Sequence, residues 1–143
     1  MDLQITSHSN YLYVQVYGQV SLSDANAKFK QVLKAVVQNQ STRILVNCTE
    51  LSGNLSTSDR YLHSEFAAKQ IREYRQEHTF PSVRFAYVLN TEIADPRRFG
   101  EIVAHNRGII VKTFMSEQDA LQWLLKDKTN EPEVREEDRA SPR

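Results

Sequence analysis

The sequence predicts a single α/β domain with the element order ββαβαβαβα and a mostly parallel sheet that carries an antiparallel hairpin at one edge. Two observations favour this fold class. The first segment alternates apolar and polar residues with period two, which is typical of a strand with one buried face. Further along, apolar residues at helical spacing alternate with short continuous apolar runs. Strands that alternate with helices need crossover connections, and these place neighbouring strands parallel.

The opening hairpin is predicted from "LQITS", then Asn10, then "YLYVQVYG". In the second segment Leu12, Val14 and Val16 alternate with tyrosines and a glutamine, and Gly18 ends the run. Branched and aromatic residues are enriched there, as expected for a strand.

The later elements follow from two patterns. Continuous apolar runs predict strands at 43–48, 83–90 and 108–114, and the first of these suits a strand covered on both faces. Four helices are predicted by apolar residues spaced three and four apart. The apolar residues that predict the four helices, in chain order, are Phe29, Val32, Leu33, Val36 and Val37; Leu62, Phe66, Ala67, Ile71 and Tyr74; Phe99, Ile102 and Val103; and Leu121, Leu124 and Leu125.

The charged end of the sequence differs from the rest in composition. Residues 128–143 contain one large aliphatic side chain, Val134, among mostly charged and polar residues. Such a segment cannot bury enough apolar surface to offset the entropy of ordering. We therefore predict a folded domain over 1–127 and a disordered charged tail over 128–143.

The composition argues against several classes of function. Of 143 residues, 40% are hydrophobic and 25% are charged, which is typical of a soluble globular protein. The 18 basic residues balance the 18 acidic ones, so no overall charge favours nucleic acid or an anionic membrane surface. No apolar stretch approaches the roughly 20 residues of a membrane span. The first residues lack a signal-peptide pattern, and the single Cys48 indicates a reducing compartment, so we expect a cytoplasmic location.

Three helix starts share one spacing. Ser21, Ser56 and Ser116 each precede an aspartate by three residues, in "SLSD", "STSD" and "SEQD". This spacing is typical of a capping box, in which the serine hydroxyl accepts a hydrogen bond from an unpaired backbone N–H. We therefore predict that each serine caps a helix.

The ends of two strands repeat a motif, "VNCTEL" at 46–51 and "LNTEI" at 89–93. In an open α/β sheet, ligands bind outside the carboxyl ends of the strands. The alternative is that these polar side chains only satisfy loop backbone groups. The candidate binding rim consists of Asn47, Thr49, Glu50, Ser52, Asn90, Thr91 and Glu92.

Motifs for catalysis, cofactors and metals are absent from the sequence. The four histidines show no metal-ligand spacing, and neither a dinucleotide nor a phosphate-binding glycine motif occurs. No nucleophile elbow surrounds a serine, and a pairing of Ser56 or Ser58 with His63 lacks an orienting acid. We therefore expect no enzymatic activity, no cofactor and no metal site.

The segment "RRFGEIVAHNRGIIVKTFMSEQDALQWL" (97–124), together with the element order, resembles the SpoIIAA-like proteins of the STAS superfamily. The resemblance covers about residues 1–127 and is carried by a helix that ends in Asn-Arg-Gly and by a later "A-L-x-W-L" helix. The matching residues are Phe99, Asn106, Arg107, Gly108, Phe114, Ala120, Leu121, Trp123 and Leu124.

The resemblance implies a regulatory module that binds a protein partner and is controlled by phosphorylation at the start of the second helix. Relatives carry Asp-Ser-Ser-Gly there, and this chain has Leu55, Ser56, Thr57 and Ser58. The acidic residue is thus replaced by leucine and the glycine by serine. The candidate phosphorylation sites are Ser56, Thr57 and Ser58.

The sequence and the resemblance together predict two alternative functions. The first is a STAS-like module that binds a protein partner, or a second copy of itself, through the rim that carries 51–61. The alternative comes from the likeness of this fold to the Sec14 type, and it is a carrier of a small apolar molecule. Its pocket would lie between the second helix, Phe80, Phe85, Tyr87 and the sheet.

Overall fold

A computed structural model describes residues 1–77, 83–91 and 110–126 of the chain. Within these ranges it contains five strands and three helices. The strands are β1 (Asp2–Ser7), β2 (Leu12–Gln19), β3 (Arg43–Ser52), β4 (Arg84–Val88) and β5 (Ile110–Phe114). The helices are α1 (Leu22–Asn39), α2 (Thr57–Glu77) and α3 (Glu117–Leu124). The helix predicted around Phe99, Ile102 and Val103 and the tail predicted over 128–143 lie outside the described residues.

The five strands form one sheet in the order β1-β2-β3-β4-β5. β1 pairs antiparallel with β2, and the pairs from β2 to β5 are all parallel. The predicted fold class, a mostly parallel sheet with an antiparallel edge hairpin, is confirmed.

Successive side chains along β3 pack into cores on opposite faces of the sheet. Ile44, Val46 and Cys48 belong to the main core, which α1 and α2 cover. Leu45 belongs to a smaller core with Ala86, Val88 and two residues of α3. Both faces of β3 are therefore covered, as its continuous apolar run indicates.

β3 is longer than the sequence predicts, because it continues from Cys48 to Ser52. The register between β2 and β3 shifts between Gln15 and Tyr17, after which Tyr17 pairs with Glu50. This extension buries Leu51, although the residues around it are polar. It also carries Thr49, Glu50 and Ser52 in a strand, whereas the sequence placed them beyond the strand end.

Within the described ranges, no helix combines the length and the apolar composition needed to cross a membrane.

Candidate functional site

The segment between β3 and α2 begins with a glycine turn. Gly53 has a φ of +84°, which favours glycine. A Cβ at this position would collide with the side chain of Gln19. The backbone N–H of Val20 donates to the carbonyl of Ser52 at 2.9 Å, which fixes the end of the β3 extension. The chain is therefore held at the carboxyl edge of the sheet, where α2 begins.

Ser56 caps α2. Its Oγ accepts a hydrogen bond from the backbone N–H of Asp59 at 3.1 Å, and its carbonyl accepts from Arg60 N–H at 2.9 Å. Its hydroxyl also lies 3.2 Å from that of Ser58. The predicted capping role of Ser56 is confirmed.

The other two serine caps are confirmed in the same way. Ser21 Oγ accepts from the N–H of Asp24 at 3.2 Å, and Ser116 Oγ accepts from the N–H of Asp119 at 3.1 Å. The α1 and α3 caps therefore provide internal comparisons for the α2 cap.

The three candidate phosphorylation sites are exposed at the start of α2. Ser56, Thr57 and Ser58 all have solvent-accessible side chains. Two large apolar side chains follow within the next turn, since Tyr61 is 39% exposed and Leu62 is 50% exposed. A compact surface therefore combines hydroxyl groups with apolar side chains.

Asn47, the first residue of the predicted rim, lies on the face of the sheet that α3 covers. Asn47 is buried, and its Nδ2 donates to Tyr13 Oη at 3.0 Å and to Glu117 Oε1 at 3.3 Å. Its Oδ1 accepts from the N–H and the hydroxyl of Thr49, at 2.9 and 2.7 Å. Asn47 therefore faces α3 and supports the neighbouring backbone.

Asn90 ties the end of β4 to the β3 extension. Its Nδ2 donates to the carbonyls of Thr49 and Leu51, at 3.0 and 3.1 Å. The structure thus brings Asn90 and Thr49 together, through a contact that satisfies strand backbone groups.

The remaining rim residues lie at the surface or beyond the described ranges. Glu50, Ser52 and Thr91 are exposed. Ser52 Oγ donates to the carbonyl of Gly18 at 3.4 Å and to Gln19 Oε1 at 3.2 Å. Glu92 lies outside the described residues.

A polar cluster that the sequence did not reveal surrounds Asn47. Tyr13 Oη donates to Gln15 Oε1 at 3.2 Å and to Glu117 Oε1 at 3.4 Å. Burial raises the pKa of Tyr13, and the nearby Glu117 carboxylate acts in the same direction, whereas the bond from Asn47 lowers it. The only sequence signal was that Asn47 alternates with Val46 and Cys48 and so points to the opposite face.

A cavity of about 250 Å³ lies between the sheet and the helices α1 and α2. Its walls are mostly apolar, and the start of α2 contributes Leu55, Arg60 and His63. The pocket predicted for an apolar ligand shares two residues with it, Phe85 and Tyr87. Phe80 lies outside the described residues. The apolar lining gives a physical reason for leucine at position 55.

Three titratable groups of this cavity, Cys48, His63 and Tyr87, are held neutral. Burial raises the pKa of the Cys48 thiol to about 12 and also raises the pKa of Tyr87. Burial lowers the pKa of His63 to about 4, and its Nδ1 lies 2.8 Å from Asn26 Oδ1. The ring contact of His63 is thus with α1. Among the described residues, no group of three or more histidine, cysteine and acidic side chains is placed to hold a metal ion.

Comparisons with known proteins identify the fold. No protein-family profile and no curated protein matches the sequence. Among solved structures, an anti-sigma factor antagonist from Mycobacterium paratuberculosis aligns with a TM-score of 0.52 at 15% identity, over 86% of this chain and 92% of that one. RsbS from Moorella thermoacetica, in a serine-to-glutamate variant, aligns with a TM-score of 0.51 at 11% identity, over 87% and 95%. An uncharacterized protein with a SpoIIAA-like fold from Shewanella loihica aligns at 23% identity with a TM-score of 0.48, over 86% and 92%. The chain has a STAS/SpoIIAA-like fold, as the resemblance in sequence predicted.

Proposed function

We propose that this STAS-like chain is a non-enzymatic regulatory module that binds a protein partner through the start of α2. The helix-start surface, as we call it, is formed by Ser56, Thr57, Ser58, Tyr61 and Leu62. The observation that carries the proposal is the exposure of three hydroxyl groups beside two large apolar side chains on one capped helix end. A solved structure of the same fold is an anti-sigma factor antagonist, which supports a regulatory role.

The apolar part of the surface suits a protein interface. Tyr61 and Leu62 are 39% and 50% exposed. Protein interfaces are enriched in aromatic side chains at their centre and have a polar rim. The serine and threonine hydroxyls beside these residues supply such a rim.

The hydroxyl part of the surface suits control by phosphorylation. A phosphate adds about −1.5 to −2 charges and favours the positive end of a helix. The Asp59 carboxylate opposes it, because like charges repel. Phosphate on Ser56, Thr57 or Ser58 therefore changes the charge of the surface with a limited effect on the helix itself.

The experiment that tests the apolar contact is affinity capture from the native cell with the wild-type chain and two variants. Leu62→Glu places a charge in the middle of the helix-start surface, and we expect loss of the captured partner. Ile110→Glu is the matched control, since Ile110 is 41% exposed but starts β5 at the opposite edge of the sheet. We expect it to retain the partner.

Two results would contradict the proposal. Equal retention by Leu62→Glu and the wild type would remove Leu62 from the interface. Equal loss in both variants would show that the effect is not specific to this surface. If the captured protein is a second copy of the chain, sedimentation should show a wild-type dimer that Leu62→Glu dissociates.

A second candidate function is favoured by the cavity. We propose as the alternative that the chain holds a small apolar molecule between the sheet and the helices α1 and α2. The apolar walls of the cavity and its volume of about 250 Å³ support this role.

A further inference from the structure

The described residues that line the cavity include positively charged side chains and no negatively charged ones. Lys28 and Arg60 line it, and among the described residues that do so there is no aspartate and no glutamate. Lys28 lies in the second turn of α1, and Arg60 lies in the first turn of α2. Fixed cations beside a cavity raise the local concentration of anions and disfavour cations.

Lys28 is not neutralised by the acid closest to it along α1. Asp24 precedes it by one turn, but the Oδ2 of Asp24 lies 3.7 Å from the amino group of Met1. The half-buried Lys28 ammonium therefore adds a positive charge to the cavity wall.

Four of the polar lining residues come from one part of the chain. The polar side chains Asn54, Arg60, His63 and Ser64 come from the segment that enters α2 and from its first turns. The strands contribute mainly apolar side chains, including Val46 and Phe85, and also the polar Thr113. Since α1 and α2 both begin at the carboxyl edge of the sheet, the cavity has a polar, positive end there and an apolar interior.

The volume limits the size of the occupant. About 250 Å³ is slightly below the ~300–1,000 Å³ of pockets that bind drug-sized ligands. A single short hydrocarbon chain suits this space better than a lipid with two acyl chains.

We infer that the cavity binds a single-chain amphiphile with an anionic headgroup. The chain lies against Val46 and Phe85, and the headgroup lies against Lys28 and Arg60. This inference rests on the second candidate function, the binding of an apolar molecule, and adds the charge and the size of the ligand.

Calorimetric titration of the full chain tests the headgroup. The probes are decanoate, decanol and decyltrimethylammonium, which share a chain length and differ in charge. We expect decanoate to bind about tenfold more tightly than decanol, because charge-assisted hydrogen bonds are roughly twice as strong as neutral ones. The ammonium compound should bind more weakly than either. Decyl phosphate in place of decanoate distinguishes a phosphate headgroup from a carboxylate, and a preference for either anion over decanol supports the inference.

Two matched variants test whether Lys28 supplies the positive charge that binds the headgroup. Lys28→Met removes the ammonium and keeps a long side chain, so we expect about tenfold weaker binding of decanoate and unchanged binding of decanol. Lys30→Met is the control, since Lys30 is exposed on the same helix and does not line the cavity. It should leave both affinities unchanged.

The outcomes separate the inference from the proposal on which it rests. Equal binding of decanoate and decanol, or unchanged decanoate binding by Lys28→Met, overturns the anionic headgroup and leaves an apolar-ligand cavity. Binding of none of the probes overturns both.

Discussion

At the scale of one residue, the burial of His63 makes the free energy of unfolding depend on pH. Its half-buried ring lies between α1 and α2, edge-on to the Phe29 ring at a centroid distance of 6.0 Å, with Nδ1 2.8 Å from Asn26 Oδ1. Burial lowers the pKa of His63 from 6.5 to about 4. The folded protein therefore holds this imidazole neutral at pH values where the unfolded chain already binds a proton.

The pH dependence of stability follows from that shift. The contribution of the neutral His63 ring to the free energy of unfolding is complete above the pKa that His63 has in the unfolded chain. This contribution is lost as the pH falls towards the pKa of His63 in the folded protein, because the unfolded state binds the proton first. From pH 7 to pH 5 this loss is on the order of 1–2 kcal/mol. We expect His63→Gln to reduce the fall in the free energy of unfolding by this amount, measured by urea denaturation at both pH values.

His8→Gln is the control for this measurement. His8 is exposed, so its replacement should leave the fall between pH 7 and pH 5 as in the wild type. An undiminished fall in His63→Gln would show that another group causes it.

At the scale of elements, the end of α3 depends on two arginines in neighbouring strands. Arg84 in β4 is buried and donates to the carbonyls of Trp123 and Lys126, at 2.9 and 3.2 Å. Its guanidinium also lies 5.4 Å from the centre of the Trp123 ring. Arg43, its register partner in β3, donates to the carbonyls of Leu125 and Lys126, both at 3.3 Å. The last carbonyls of a helix have no partner within the helix, and these arginines donate to carbonyls at this end of α3.

We expect Arg84→Met to lower the free energy of unfolding by about 3 kcal/mol, since it removes three hydrogen bonds at the end of α3, one of them to the buried carbonyl of Leu124. Arg43→Met should cost about 1 kcal/mol, because Arg43 is only half-buried and water can replace it. Chemical denaturation of both variants measures the difference. Equal decreases in the free energy of unfolding for the two variants would contradict the greater structural role of Arg84.

At the scale of the whole molecule, periodicity and turn chemistry predicted the order of the described strands and helices. These signals are local, so they could be read without knowing which segments meet in space. The serine caps were predictable for the same reason, because Ser21, Ser56 and Ser116 bond to backbone only three residues away.

Features that depend on contacts between distant segments could not be predicted. The β3 extension over Thr49–Ser52 looks polar in sequence and forms because β2 pairs with it after a register shift. Asn47 was assigned to a binding rim, and only the packing of α3 shows that its amide meets Glu117. The Arg84 contacts and the placement of Lys28 and Arg60 at the cavity likewise join elements that are far apart in the chain.

The functional proposal depends on the Ser56 cap, which lies beside the exposed side chains of Tyr61 and Leu62. Ser56 shares its capping geometry with Ser21, but Tyr61 and Leu62 follow only Ser56. Aspartate is itself a good N-cap, so replacing either serine by aspartate should preserve the helix while adding a negative charge.

The most direct measurement is therefore the affinity of the captured partner for three forms of the chain: wild type, Ser56→Asp and Ser21→Asp. We expect Ser56→Asp to change the dissociation constant about tenfold or more, as a charge placed in an interface does. Ser21→Asp should bind as the wild type does, and all three forms should have similar stability. An unchanged dissociation constant for Ser56→Asp would contradict a phosphorylation-controlled binding surface at the start of α2.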